Sequence, residues 1–157
     1  MSAYLAFLAP IGSILKWSDG TPRPPGRHRK KLSTWNTNNS FGRLIRKQDA
    51  RAANNIILPA NFTLHEADHG GDSVMTIRIH RTFSLETSLN FSLVERPAIG
   101  SCRVFDRAGD NAELVHLAAN RQAAEEWLSR HGYPSAVLED VAADEIAADI
   151  VEGRVAA

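Results

Sequence analysis

A chain of 157 residues that is 43% hydrophobic and 23% charged has an ordinary globular makeup, which excludes a disordered or low-complexity polymer and allows one core. A formal charge of zero excludes a uniformly basic or acidic protein but hides a division: Met1–Arg51 holds ten basic and two acidic residues, a net of +8, and the remainder carries −8. The one cysteine, Cys102, excludes an internal disulfide and fits a reducing, cytoplasmic setting.

These quantities predict one domain over residues 1–157, with a basic N-terminal arm at 1–51 and an acidic sheet-plus-helix core at 52–157. The apolar stretch from Tyr4 to Leu15 is interrupted by Pro10 and Gly12, lacks a basic leader and is too short to span a bilayer. It reads as a buried strand pair or packing arm, and no membrane association is expected.

Ser13–Trp17 reads as a short strand closed by Ser18-Asp19-Gly20. In the connector that follows, Pro22, Pro24 and Pro25 forbid a helix or sheet interior. His28, Leu32 and Trp35 fall at i, i+4 and i+7, the spacing of one helix face over Arg27 to Trp35, and Asn36–Ser40 ends it. Phe41–Lys47 returns as a strand, and Gln48–Asn55 reads as a surface loop or frayed turn.

Gly70-Gly71 predicts a two-residue hairpin turn, pairing residues whose numbers sum to about 141 by the geometry of such loops. Phe62 then faces Ile79 and Leu64 faces Ile77, while Thr63, His65, Thr76, Arg78 and His80 share the polar face. Alternation from Phe83 to Leu93 predicts one long strand or a hairpin near Glu86–Ser88. Ser101–Asp106 and Ala112–Leu117 predict an antiparallel pair. Asn120 offers an N-cap to a helix through Arg130, with Ala124, Trp127, Leu128 and His131 on its apolar side. Ala136–Leu138 adds a strand, and Ala143–Glu152 reads as a last acidic helix. Strands in succession followed by helices imply an α+β fold: an antiparallel, mainly meandering β-sheet with helices near the C-terminus and a basic N-terminal arm.

His65-Glu66-Ala67-Asp68-His69 spells the H-E-x-x-H zinc motif, whose two histidines meet only on a helix. In the strand predicted here they stand roughly 13 Å apart, so no metal site is expected. The predicted register also offsets His65 (opposite Thr76) from His80 (opposite Asn61), which counts against a metal-independent nuclease built on these histidines with Arg78 and Arg81. Cys102 and His116 lie on neighbouring predicted strands, but an alternating strand makes the cysteine a small core residue.

Basic side chains interleaved with aromatic rings and amides remain, between Trp17 and Lys47. Cations neutralise phosphates and rings stack on unpaired bases. The sequence therefore points to a non-enzymatic binding module, without metal, cofactor or catalytic residues, that contacts nucleic acid through Arg23, Arg27, Arg29, Lys30, Lys31, Trp35, Arg43, Arg46 and Lys47, with Trp17 or Trp35 stacking if exposed. The alternative is a protein-interaction adaptor or inhibitor whose acidic C-terminal region, Glu139 to Glu152, meets a basic protein partner; a small metal-independent nuclease using the hairpin histidines comes third.

Overall fold

The computed structural model describes residues 2–69 and 77–144, with the backbone alone for residues 67–69, 77 and 78. The fold is α+β and mostly antiparallel sheet. The elements are α1 (Ala3–Leu8), β1 (Ile14–Ser18), α2 (Arg29–Asn38), β2 (Ser40–Gln48), β3 (Arg51–Ala53), β4 (Ile56–Leu58), β5 (Asn61–His69), β6 (Ile77–Ser84), β7 (Asn90–Glu95), β8 (Cys102–Phe105), β9 (Leu114–Ala118), α3 (Arg121–Ser129) and β10 (Val137–Asp140). Strands β1, β2, β5 and β6 meander, and β7 returns beside β1, giving the order β6-β5-β2-β1-β7. A second sheet has the order β10-β8-β9. No helix among the described residues is long and apolar enough to cross a membrane.

The large sheet buries one face against α1. Tyr4 to Leu8 forms helix where strand was expected: Ala3 and Ala6, with Ala9 just beyond, put small side chains against Leu15, Trp17, Leu44, Phe62, Leu64 and Phe91. Small residues let the helix backbone approach the sheet closely. Phe83 sits 5.1 Å from Trp17, 5.7 Å from Phe62 and 5.3 Å from Phe91, centroid to centroid, in tilted and edge-on contacts. Such ring pairs add to simple burial. The small sheet packs Cys102, Val104 and Ala118 against Ala124, Trp127 and Leu128 of α3, whose Asn120 cap accepts a hydrogen bond from the Ala123 amide at 2.8 Å. Ile45, Phe105 and Leu114 join the two sheets.

Three predicted connections differ. Gln48–Asn55 is no loop: β3 and β4 form a hairpin, turned by Asn54 and Asn55 at φ 49° and 65°. Asparagine is the residue besides glycine that tolerates this pair of angles. Phe83–Leu93 is neither one strand nor a hairpin, because β6 pairs with β5 and β7 with β1, at opposite edges of the sheet. Gly70-Gly71 lies outside the described residues, but the pairing beside it does not: Phe62 faces Phe83, Leu64 faces Arg81 and His65 faces His80. The predicted register is therefore wrong by four residues. An even slip keeps every side chain on its face, so alternation cannot detect it.

β5 also carries a bulge between His65 and Ala67. Opposite lies Gly42, where a Cβ atom would stand 2.8 Å from the His65 carbonyl oxygen and 3.2 Å from the Glu66 Cα. Only a residue without Cβ admits this approach.

Candidate functional sites: a basic groove and a histidine cleft

The nine predicted contact residues divide between the connector with α2 and strand β2. Arg23, Arg27, Arg29, Lys30 and Lys31 are exposed along the connector and the first turn of α2, and none has an ion pair among the described residues. Three cations in the first turn, with no acidic residue and no side-chain cap, oppose the helix dipole. An anion would relieve that conflict.

The connector is fixed to α2 by local chemistry. The Asp19 carboxylate accepts from the Thr21 hydroxyl (2.6 Å), the Thr21 amide (2.9 Å) and the Asn39 amide group (3.1 Å), and Trp35 Nε1 donates to the Thr21 carbonyl at 3.0 Å. The Thr21 hydroxyl first, then the Thr21 amide and Asn39, hold the Asp19 carboxyl below its ordinary value of 3.8. These hydrogen bonds thus stabilise the fold above that value, and the stabilisation disappears as pH falls through the lower folded one. Between connector and helix runs a groove of about 440 Å³, with Pro22, Pro24 and Trp35 as apolar floor and Asp19, Thr21, Lys30, Lys31, Thr34 and Asn38 around it.

The other members lie elsewhere. Trp17 is fully buried and donates through Nε1 to the Thr37 carbonyl at 3.0 Å, so Trp35 alone of that pair is left to stack. Lys47 lies over the Phe7 ring, 5.7 Å from its centroid. Arg46 shares the Thr63 register position and has a buried Nε without a hydrogen-bond partner. Arg43 projects from the face opposite α1 and donates from Nη1 to the Gly12 carbonyl at 2.6 Å. Gly12 has φ +104°, an angle that favours glycine.

Arg43 reaches a second site that the predicted register had dispersed. His65 lies directly between Arg43 on β2 and His80 on β6. The two imidazoles meet edge to face, centroids 5.6 Å apart. Glu113 Oε1 stands 3.3 Å from His80 Nδ1. The cleft measures about 240 Å³, lined by Arg43, Ile45, His65 and His80 on one side and residues 114–117 on the other. Four consecutive strand residues alternate faces, so the wall they share is the strand's edge. β9 pairs with β8 alone, and this edge is the one left over.

His69, the second histidine of the zinc motif, is in the same extended strand as His65, so the helical geometry the motif needs is absent. Among the described residues no three His, Cys, Asp or Glu side chains group closely enough for a metal. Cys102 and His116 are separated in role: Cys102 is buried in the α3 core, and His116 stacks on Trp127 at 4.6 Å. Burial first, and then the Asp140 charge, push the Cys102 thiol above its ordinary value of 9.0. Above that pH the unfolded thiol ionises while the folded one stays neutral, so its contribution to stability declines as pH rises. A disulfide reagent is expected to modify Cys102 only as urea unfolds the protein; rapid labelling of the folded chain would contradict its burial.

On the acidic side, Glu139 pairs with Arg103 and Asp140 with Arg121, each at 3.1 Å. Glu145, Asp149 and Glu152 lie outside the described residues, as does most of the predicted last helix. A family model matches residues 1–145. No curated protein and no solved structure matches the chain.

Proposed function

The chain belongs to the family described as uncharacterised conserved protein UCP036055, and for this member we propose single-stranded nucleic-acid binding in the groove between connector and α2. The observation that carries the reading is a half-buried indole set beside prolines and flanked by Lys30 and Lys31, with Asp19, tied to Thr21 and Asn39, as the one carboxylate of the lining. A base stacks on a ring such as Trp35 whatever its identity, and cations such as Lys30 and Lys31 neutralise the adjoining phosphates. Arg23 and Arg27 extend the charge along the connector, and Arg29 adds to it from the other side of α2, in a pocket shared with Glu66 and Arg81. Arg43, Arg46 and Lys47, on the sheet itself, fall outside this contact surface.

Titration with single-stranded RNA, single-stranded DNA and duplex DNA at two salt concentrations tests the reading. Binding should favour single strands and weaken steeply with salt. Changing Arg27, Arg29, Lys30 and Lys31 together to Gln should flatten the slope of log affinity against log salt by about 3, at about 0.7 for each phosphate that a removed cation had neutralised. No binding at low salt, or an unchanged slope in the variant, would overturn the assignment.

A further inference from the structure

We infer that the cleft between His65 and His80 cleaves RNA by general acid–base catalysis, transferring the phosphoryl group to the neighbouring ribose 2′-hydroxyl. The choice of RNA rests on the nucleic-acid reading above; the catalytic arrangement does not. Two imidazoles of one sheet face are held side by side by the pairing of β5 with β6. The Glu113 carboxylate orients His80 through Nδ1, leaving Nε2 as its working nitrogen. The ring oriented by Glu113, His80, is given the acid role and His65, beside Arg43, that of base. Arg43, anchored on the Gly12 carbonyl, supplies positive charge on the same side as His65.

The reaction balances within the substrate and these two rings. His65 takes the 2′-hydroxyl proton as the 2′-oxygen forms its bond to phosphorus. The bond from phosphorus to O5′ breaks, its electron pair stays on O5′, and His80 gives that oxygen a proton. The products are a 2′,3′-cyclic phosphate and a 5′-hydroxyl end. Proton exchange with water then restores both histidines.

The cleft and α2 lie on opposite faces of the sheet, yet they approach each other at β6. Arg81 donates to the Thr37 carbonyl of α2 at 3.1 Å on one face, and the next residue back, His80, points into the cleft on the other. β6 is the sheet's edge strand. A single strand leaving α2 therefore reaches the histidines by passing over this edge.

The full-length protein should be incubated with an end-labelled single-stranded RNA decamer and with the all-deoxy oligomer of the same sequence. The RNA should yield fragments ending in 2′,3′-cyclic phosphate, identified by mass, and the deoxy oligomer should remain intact. His65→Gln and His80→Gln should each lower the rate by about 10²-fold or more, with binding of the deoxy oligomer retained. Glu113→Gln should reduce kcat about tenfold, a loss of orientation within the range of acid–base contributions. Intact RNA with the wild-type protein overturns the inference, as does cleavage equal in wild type and both histidine variants. RNA bound but uncut overturns the inference and leaves the binding proposal standing. Histidine-dependent cleavage whose KM is unmoved by the four-fold Gln variant of the connector and α2 does the reverse.

Discussion

Trp17→Ala is expected to lower the unfolding free energy by about 3–5 kcal/mol, the range for removing a fully buried large aromatic residue, and to loosen the basic groove as well. The ring is fully buried, meets Phe83 and has the Arg81 guanidinium 5.9 Å from its centroid. Truncation leaves a cavity that rigid neighbours fill only partly. Its Nε1 also ties β1 to the carbonyl of Thr37, near the end of α2. Domains of this size are stable by about 5–15 kcal/mol, so the variant should sit near the edge of folding, with a markedly lower urea midpoint. Trp17→Phe separates the two contributions. It keeps most of the packing, and Thr37 retains Arg81 as a donor, so the loss should approach that of one hydrogen bond, about 1 kcal/mol. A Trp17→Ala midpoint within error of wild type would show that this residue is not the centre of the core.

How the sequence led to this architecture depends on the reach of each signal. β1, α2, β8, β9, α3 and β10 were legible because their evidence is local: alternation, a polar helix boundary, a turn cluster and an N-cap asparagine. α1 was not, since six residues followed closely by Pro10 and Gly12 show little period, and the helix exists because three alanines fit the sheet beneath it. The hairpin strands were legible and their register was not. Four residues of slip leave the faces unchanged, so alternation could not set the register. That slip dispersed the histidines in the sequence reading. The basic helix was visible as a charge run beside Trp35. Nothing local announced that Glu113, 33 positions after His80, would meet its ring, or that Arg43 would be anchored by Gly12. The signals for the cleft were a glycine inside a strand, Gly42, which often marks a bulge or a close backbone approach, and the even-numbered spacing that gives alternating residues one face.

Gly42→Ala should damage the cleft more than the fold. The added Cβ would lie 2.8 Å from the His65 carbonyl oxygen and 3.1 Å from its carbon. Both are backbone atoms of a strand hydrogen-bonded on either side to β2 and β6, so neither a rotamer change nor a frayed edge relieves the contact. Overpacking of this kind costs about 1–3 kcal/mol, leaving the protein folded. The displacement must fall on the bulge, which carries His65, while His80 stays with Glu113. A shift of about 1 Å between the two rings would reduce catalysis about 10²-fold if the cleft cleaves RNA, with binding through α2 unaffected. Gly132→Ala is the matched control, because a Cβ there meets nothing within 4 Å and Gly132 lies beyond α3. Equal urea midpoints and equal kcat for the two alanine variants would mean that the added methyl group is accommodated without moving His65, and the geometry of His65 would then not depend on Gly42. A lower midpoint together with a selective loss of kcat would tie one glycine in β2 to the histidine pair on the neighbouring strands, because the bulge transmits the added methyl group to the base and leaves the acid in place.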